Sequence, residues 1–348
     1  HTRCLSDWSS DVCSSDLKIK AHFTALVSIF LLLSGANSYS ADVILKASHQ
    51  FPGKGDSRNE MLEILSSEIA KAKVGVDVRI FPSASLYKSS EQYKPLTEGQ
   101  LDITLLPLDY ASGFRAEYGA TLMPGLVKNH SHAARMNVSP FMKDIKNILK
   151  QEGVVVLADA WFAGGFASKT KCITNPESAK GQVTRAGGSM FEEMLKGAGA
   201  SIASMPSNEI YQGLQSGVLN GVNTSSESFV TFKLYEQVKC MTPPGKYALW
   251  FMYQPILMSQ KSFDKLNEKQ KEVIIAAGKK AEQYMAKEAA NLDTKMEKVF
   301  KEKGVQIAYM TEADFKAWLQ IAKATSYKKF AEKVKDGDKL IAKALAVK

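Results

Sequence analysis

The sequence predicts an α/β protein of two lobes, on three observations. Short apolar strand patterns alternate with amphipathic helix patterns through residues 41–225. The length of 348 residues exceeds what one small domain usually holds. The stretches "SSEQYKPLTEGQLDITLLP" (89–107) and "SNEIYQGLQSGVLNGVNTS" (207–225) share a polar start, Glu and Tyr, an apolar helix, a Gly and a strand. That is an internal likeness between two halves rather than a short-period repeat.

In chain order, residues 1–17 come first. They lack an apolar period, are rich in Ser, Asp and Cys, and resemble translated sequencing-adaptor read-through, so they are set aside from the fold. Residues 18–40 read as a secretory signal peptide: Lys18, Lys20 and His22 are basic, residues 23–33 are apolar, and Ser38 and Ser40 are small. The apolar run is too short to span a bilayer, which needs about 20 residues. Cleavage before Ala41 and export to the periplasm are expected. A buried core helix is the competing reading.

Residues 41–52 open with a strand. "GDSRNEMLEILSSEIAKAK" follows as a helix with Met61, Leu62, Ile64, Leu65 and Ile69 inward. Residues 74–82 form a second strand, and residues 89–107 a helix and the strand 101–106. Residues 153–171 read as a buried strand and a long extended stretch. In "GQVTRAGGSMFEEMLKGAGA" (181–200), residues 182–186 are a strand, Gly187, Gly188 and Ser189 a turn, and 190–197 a helix with Met190, Met194 and Leu195 on one face. Arg185 therefore ends a strand just before a helix start, where backbone N–H groups favour an anion. A structural ion pair is the competing role for it. "ALWFMYQPILM" (248–258) reads as one buried return strand. Asn267, with Gln270 three positions on, caps a helix of roughly 35 residues, about 52 Å long, that ends at Gly304. A short strand "VQIAYM" follows. Thr311 then caps a last helix containing Phe315, Trp318 and Leu319.

Apolar residues at 45% and charged residues at 23% are ordinary for a globular protein. The net charge of +9 lies largely on lysines interspersed with acids on the C-terminal helices, which describes a solvated face rather than a nucleic-acid site. Only Cys172 and Cys240 remain after residue 40. In an exported protein they suggest one disulfide, with two buried thiols as the alternative. His49, His130 and His132 are not spaced for a metal. No Gly-x-Ser-x-Gly occurs, so neither an enzyme nor a cofactor is expected.

Three runs carry a family resemblance: "FPSASLYKSSEQYKPLTEGQLDI", "ITNPESAKGQVTRAGG" and "GASIASMPSNEIYQGLQSGVLNG". Through them residues 41–348 resemble the solute-binding protein of a tripartite ATP-independent periplasmic (TRAP) transporter, of the DctP type. The resemblance implies a two-lobe periplasmic binding protein fold with crossing hinge strands and a long bracing helix. Lobe I is expected at 41–163 plus 251–285, lobe II at 164–250, and a C-terminal helical segment bracing both at 286–348. It implies that the lobes close on a small organic carboxylate, paired with Arg185, and deliver it to a TRAP membrane permease. Departures narrow the ligand. Gly165 stands where sugar-acid binders carry a second cleft arginine, and Ser207 where an aromatic is common. Asn223, Thr224 and Ser225 become candidates for hydrogen bonding the ligand, with strand-end capping as their alternative. His49, Gln50, Trp161, Phe162 and Phe166 are further candidates for the cleft. An aromatic wall with one arginine suits a monocarboxylate with an apolar body, although core packing would equally explain the aromatics. An ATP-driven (ABC-type) importer's binding protein and an exported ligand-sensing module are the alternatives.

Overall fold

The alternation of strands and helices resolves into two separate sheets. The computed structural model describes residues 42–348, all within one compact unit. The expectations for residues 1–17, for the signal peptide at 18–40 and for cleavage before Ala41 lie outside them.

The first sheet holds β1 (Val43–Ser48), β2 (Val76–Phe81), β3 (Ile103–Leu105), β4 (Val154–Ala158) and β11 (Ile256–Ser259), in the order β2-β1-β3-β11-β4. β1 is parallel to β2 and β3, while β11 is antiparallel to both its neighbours. The second sheet holds β5 (Trp161–Ser168), β6 (Val183–Arg185), β7 (Ser201–Ile202), β8 (Gly221–Ser225), β9 (Cys240–Thr242), β10 (Trp250–Tyr253) and β12 (Gln306–Ile307). Its order is β12-β9-β5-β8-β6-β7, with β10 also paired to β5.

The chain passes from the first sheet to the second between β4 and β5, and returns between β10 and β11. The two crossings are tied, since the Gln254 N–H donates to the Ala160 carbonyl at 2.8 Å. The chain thus changes sheet near residues 159–160 and 254–255, and again at β12, which lies in the second sheet. The run 248–258 is two strands, not one. Pro255 has no N–H for a ladder and holds Gln254 extended, so the strand breaks there and its halves join different sheets.

A third connection is the helix Glu268–Glu302, with the expected capping box of Asn267 and Gln270. It packs on the helix Ser57–Lys71 and β4 at one end, and on β5, the helix Ser226–Thr231 and β12 at the other. It comes so close to β4 that a Cβ at Gly278 would strike the Leu157 carbonyl. Thr311 caps the helix Glu312–Ala322 with Asp314 in a second capping box. That helix is not the last. A π turn leads to Lys328–Lys333 and then Gly337–Leu345. Trp318 donates to the Thr174 carbonyl at 3.0 Å and stacks on Phe166, while Gly337–Leu345 lies on the helix Pro140–Gln151. Cys172 and Cys240 are disulfide-bonded, with Cα atoms 5.1 Å apart. The bond ties the exit from β5 to the start of β9.

Candidate functional site

Arg185 ends β6, whose parallel pairing with β8 sets it opposite Val222. Its side chain is buried, yet no acid takes its charge. Nε donates to the Met205 carbonyl (2.9 Å), Nη1 to the Asn223 carbonyl (2.8 Å) and Nη2 to the Tyr110 hydroxyl (2.9 Å). A guanidinium has five N–H groups, so two remain. The Tyr110 hydroxyl also accepts from the Ser207 N–H at 3.1 Å.

The glycine turn after Arg185 does something other than what the sequence suggested. The Gly187 N–H donates to Asn223 Oδ1 at 2.7 Å. The helix start at Ser189 already faces an anion from the same chain, Asp109, and a Cβ at Gly188 would collide with that carboxylate. Burial pushes the Asp109 pKa up to about 7, against the Ser189 N–H and Arg185, which favour its charge. Asp109 Oδ1 has no hydrogen-bond partner among the described residues.

Opposite lies a second buried arginine, Arg58, one residue into the helix Ser57–Lys71. Asp56 caps that helix by accepting from the Arg58 N–H, and it also pairs with the side chain. Nε to Oδ1 is 2.8 Å and Nη2 to Oδ2 is 2.6 Å, a bidentate clamp. The remaining N–H groups reach Ser225 Oγ (3.3 Å), Ser228 Oγ (2.8 Å) and Thr231 Oγ1 (3.4 Å), so all five are used. The guanidinium carbon sits 3.6 Å from the centre of the Phe51 ring. The Ser57 N–H donates to Glu227 at 2.9 Å. Burial raises the Glu227 pKa, with Arg58 opposing and Asp56 adding to the rise.

Between the two arginines lies a small cavity. Of the residues singled out from sequence, Arg185, Ser207, Thr224 and Ser225 line it. So do Arg58, Tyr110, Ser228, Trp250, Met252 and Gln254, which sequence reasoning missed. Trp250, Met252 and Gln254 alternate along one chain segment, and that period of two is a signal the sequence held. Gln50 and Asn223 stand one bond behind the lining. Gln50 Nε2 donates to Ser207 Oγ at 3.2 Å, and Asn223 holds Arg185 and Gly187.

Four other candidates lie elsewhere. His49 accepts from the Phe51 N–H at Nδ1 (3.2 Å), so Nε2 carries the proton and faces Asn59 Oδ1 at 3.0 Å. Burial lowers its pKa to about 4, and it stays neutral. Trp161 donates to Asn137 Oδ1 at 2.7 Å on a different face of the fold. Phe162 and Phe166 are core residues, because β5 is covered on both faces. Among the described residues, no cluster of His, Cys, Asp and Glu is arranged to hold a metal ion, and no helix is long and apolar enough to cross a membrane.

Residues 53–333 match the model of the bacterial extracellular solute-binding protein family 7, and the chain belongs to that family. A solute-binding protein of Albidiferax ferrireducens is 35% identical over 305 residues, 86% of this chain and 90% of its own length. Two solved structures are similar throughout. A TRAP periplasmic solute binding protein from Rhodoferax ferrireducens, with bound malonate, gives a TM-score of 0.83 at 35% identity and covers 86% of this chain and 96% of its own. One from Sulfurospirillum deleyianum, with bound succinate, gives 0.80 at 25% identity and covers 88% and 100%.

Proposed function

We propose that this member of solute-binding family 7 captures a small organic carboxylate between two lobes, each cored by one sheet, and delivers it to a TRAP membrane permease. The observation that carries the reading is Arg185: a buried guanidinium at a cavity, with no acid partner and two N–H groups to spare. Planar guanidinium geometry matches a carboxylate's two oxygens. The malonate and succinate bound by two relatives are dicarboxylates, and they support capture of a small organic carboxylate as the class.

Closure follows from the same contacts. Gln50 to Ser207, Arg58 to Ser225 and Ser228, Ser57 to Glu227 and Arg185 to Tyr110 all join elements of one sheet's side to the other's. A ligand that adds contacts only in this closed arrangement shifts the equilibrium toward it. The protein acts as a receptor that releases its ligand unchanged. Its place is the periplasm after cleavage before Ala41, and the Cys172–Cys240 disulfide fits an oxidising compartment.

Calorimetry of the secreted protein with small carboxylates and their matching amides tests capture. Acids should bind and amides should not. Amides binding as tightly as acids would sink the reading. Terminal sequencing of exported protein should begin at Ala41.

A further inference from the structure

We propose that Asp56 and Gln254 set the ligand's charge: the cavity takes a small carboxylate with one negative charge and a neutral hydrogen-bonding group at its other end, and it disfavours dicarboxylates. The inference rests on the proposed capture of a carboxylate at Arg185.

The charges around the cavity carry it. Two guanidiniums line the space, but only one is free. Arg58 is clamped on both sides by Asp56, with both side chains buried and all five N–H groups spent. Glu227 lies beside that pair. Protonated, it leaves the Arg58 side neutral; ionised, it makes that side negative. Arg185 supplies one uncompensated positive charge, reduced when nearby Asp109 ionises. The excess is therefore one at most. A second buried carboxylate would find no counter-charge, and a buried ion without one is strongly disfavoured.

The unpartnered polar atoms say where each end of the ligand goes. Trp250 Nε1 can only donate, is buried and has no partner. It and Arg185 Nη1 flank the point where a Gly187 Cβ would stand, at 2.8 and 3.4 Å. The indole therefore adds a donor on the same side as the guanidinium, and the carboxylate belongs there. Further along the same wall, past the apolar Met252, Gln254 lines the cavity with Oε1 unpartnered. Whichever way its amide is turned, it carries no charge and offers a neutral hydrogen-bonding surface. A hydroxyl, keto or amide group satisfies it without a counter-ion.

Titration calorimetry of the full secreted chain at pH 8 compares 3-hydroxypropionate with malonate, and 4-hydroxybutyrate with succinate. Each hydroxy acid should bind at least tenfold more tightly than its dicarboxylate. Asp56→Asn keeps a capping oxygen for the Arg58 N–H but removes the charge; succinate should then gain tenfold or more. Gln254→Leu should weaken 4-hydroxybutyrate at least fivefold relative to butyrate. If Asp56→Asn does not fold, the wild-type pairs and Gln254→Leu still decide. A dicarboxylate binding wild type as tightly as its hydroxy acid, or no binding by any of the four, overturns the inference. If that dicarboxylate is lost in Arg185→Ala, capture at Arg185 stands without the charge rule. If it is retained, the capture reading falls as well.

Discussion

Two buried arginines face one cavity, and their surroundings differ in kind. Arg58 is met by a carboxylate, an aromatic ring and three hydroxyls, and its hydrogen bonding is complete. Arg185 is met by two carbonyls and a phenol, and its hydrogen bonding is not. A charge paired on the spot belongs to the architecture, because removing either partner strands the other. A charge held only by neutral oxygens keeps its long-range attraction and its spare donors for something that arrives later. Identical side chains are thus fully paired on one side of the cavity and keep spare donors on the other, as the proposed capture of a carboxylate requires.

The largest test of that contrast is a pair of alanine substitutions. Arg58→Ala leaves Asp56 buried and unpaired, and should cost about 3–5 kcal/mol of folding stability in a denaturant titration. Arg185→Ala should instead cost about 2–5 kcal/mol of ligand affinity by calorimetry, with the smaller share in stability. Arg185→Lys should recover only part, since a point charge cannot reproduce the two-pronged contact. A reversed pattern, with Arg58→Ala stable but unable to bind, would exchange the two roles.

The pH response sharpens the comparison next. On the Arg58 side, His49 has a folded pKa of about 4 against 6.5. A depressed histidine contributes stability that is intact above pH 6.5 and lost as pH falls toward 4, by about 3 kcal/mol in full. On the Arg185 side, Asp109 has a folded pKa of about 7 against 3.8. A raised carboxyl does the opposite: its cost is absent below pH 3.8 and grows until pH 7. Melting curves from pH 4 to 8 should show His49→Gln flattening the acid limb and Asp109→Asn flattening the rise in cost toward neutrality. A variant that leaves its limb unchanged removes that residue from the account.

The smallest effect belongs to Gly187. Its missing Cβ leaves room between Arg185 Nη1 and Trp250 Nε1. Gly187→Ala should push these donors apart and weaken ligand binding by about 1 kcal/mol or more, roughly fivefold, while the fold persists. Affinity unchanged in that variant would mean that the indole does not share the ligand with Arg185.

Much of the scaffold was legible because its signals are local. The capping boxes at Asn267 and Thr311 fixed two helix starts, and the 35-residue helix followed from an apolar period bounded by Asn267 and Gly304. Arg185 was legible from its place between a strand end and a glycine turn. The aromatic candidates lie away from the Arg185 cavity for a physical reason. Alternation along β5 assigns Trp161, Phe162 and Phe166 to faces, but Phe162 and Phe166 pack into the core and Trp161 lines a different pocket from that of Arg185. Tyr110 escaped notice because it sits in the four-residue 3-10 turn Leu108–Ala111, which has no period to read.

Local patterns were enough to read the α/β alternation, the long brace, the family and an arginine at a strand end. Each rests on residues a few positions apart, whose period and capping chemistry act within a single element. Which arginine keeps spare donors emerges only once the chain is folded. Arg58 reads in sequence as an ordinary charge in a first helical turn. Its last donors are taken by Ser225, Ser228 and Thr231, the nearest of them 167 residues away. Whether a charge is spent depends on what the fold brings within hydrogen-bonding reach of it, and no local pattern carries that distance.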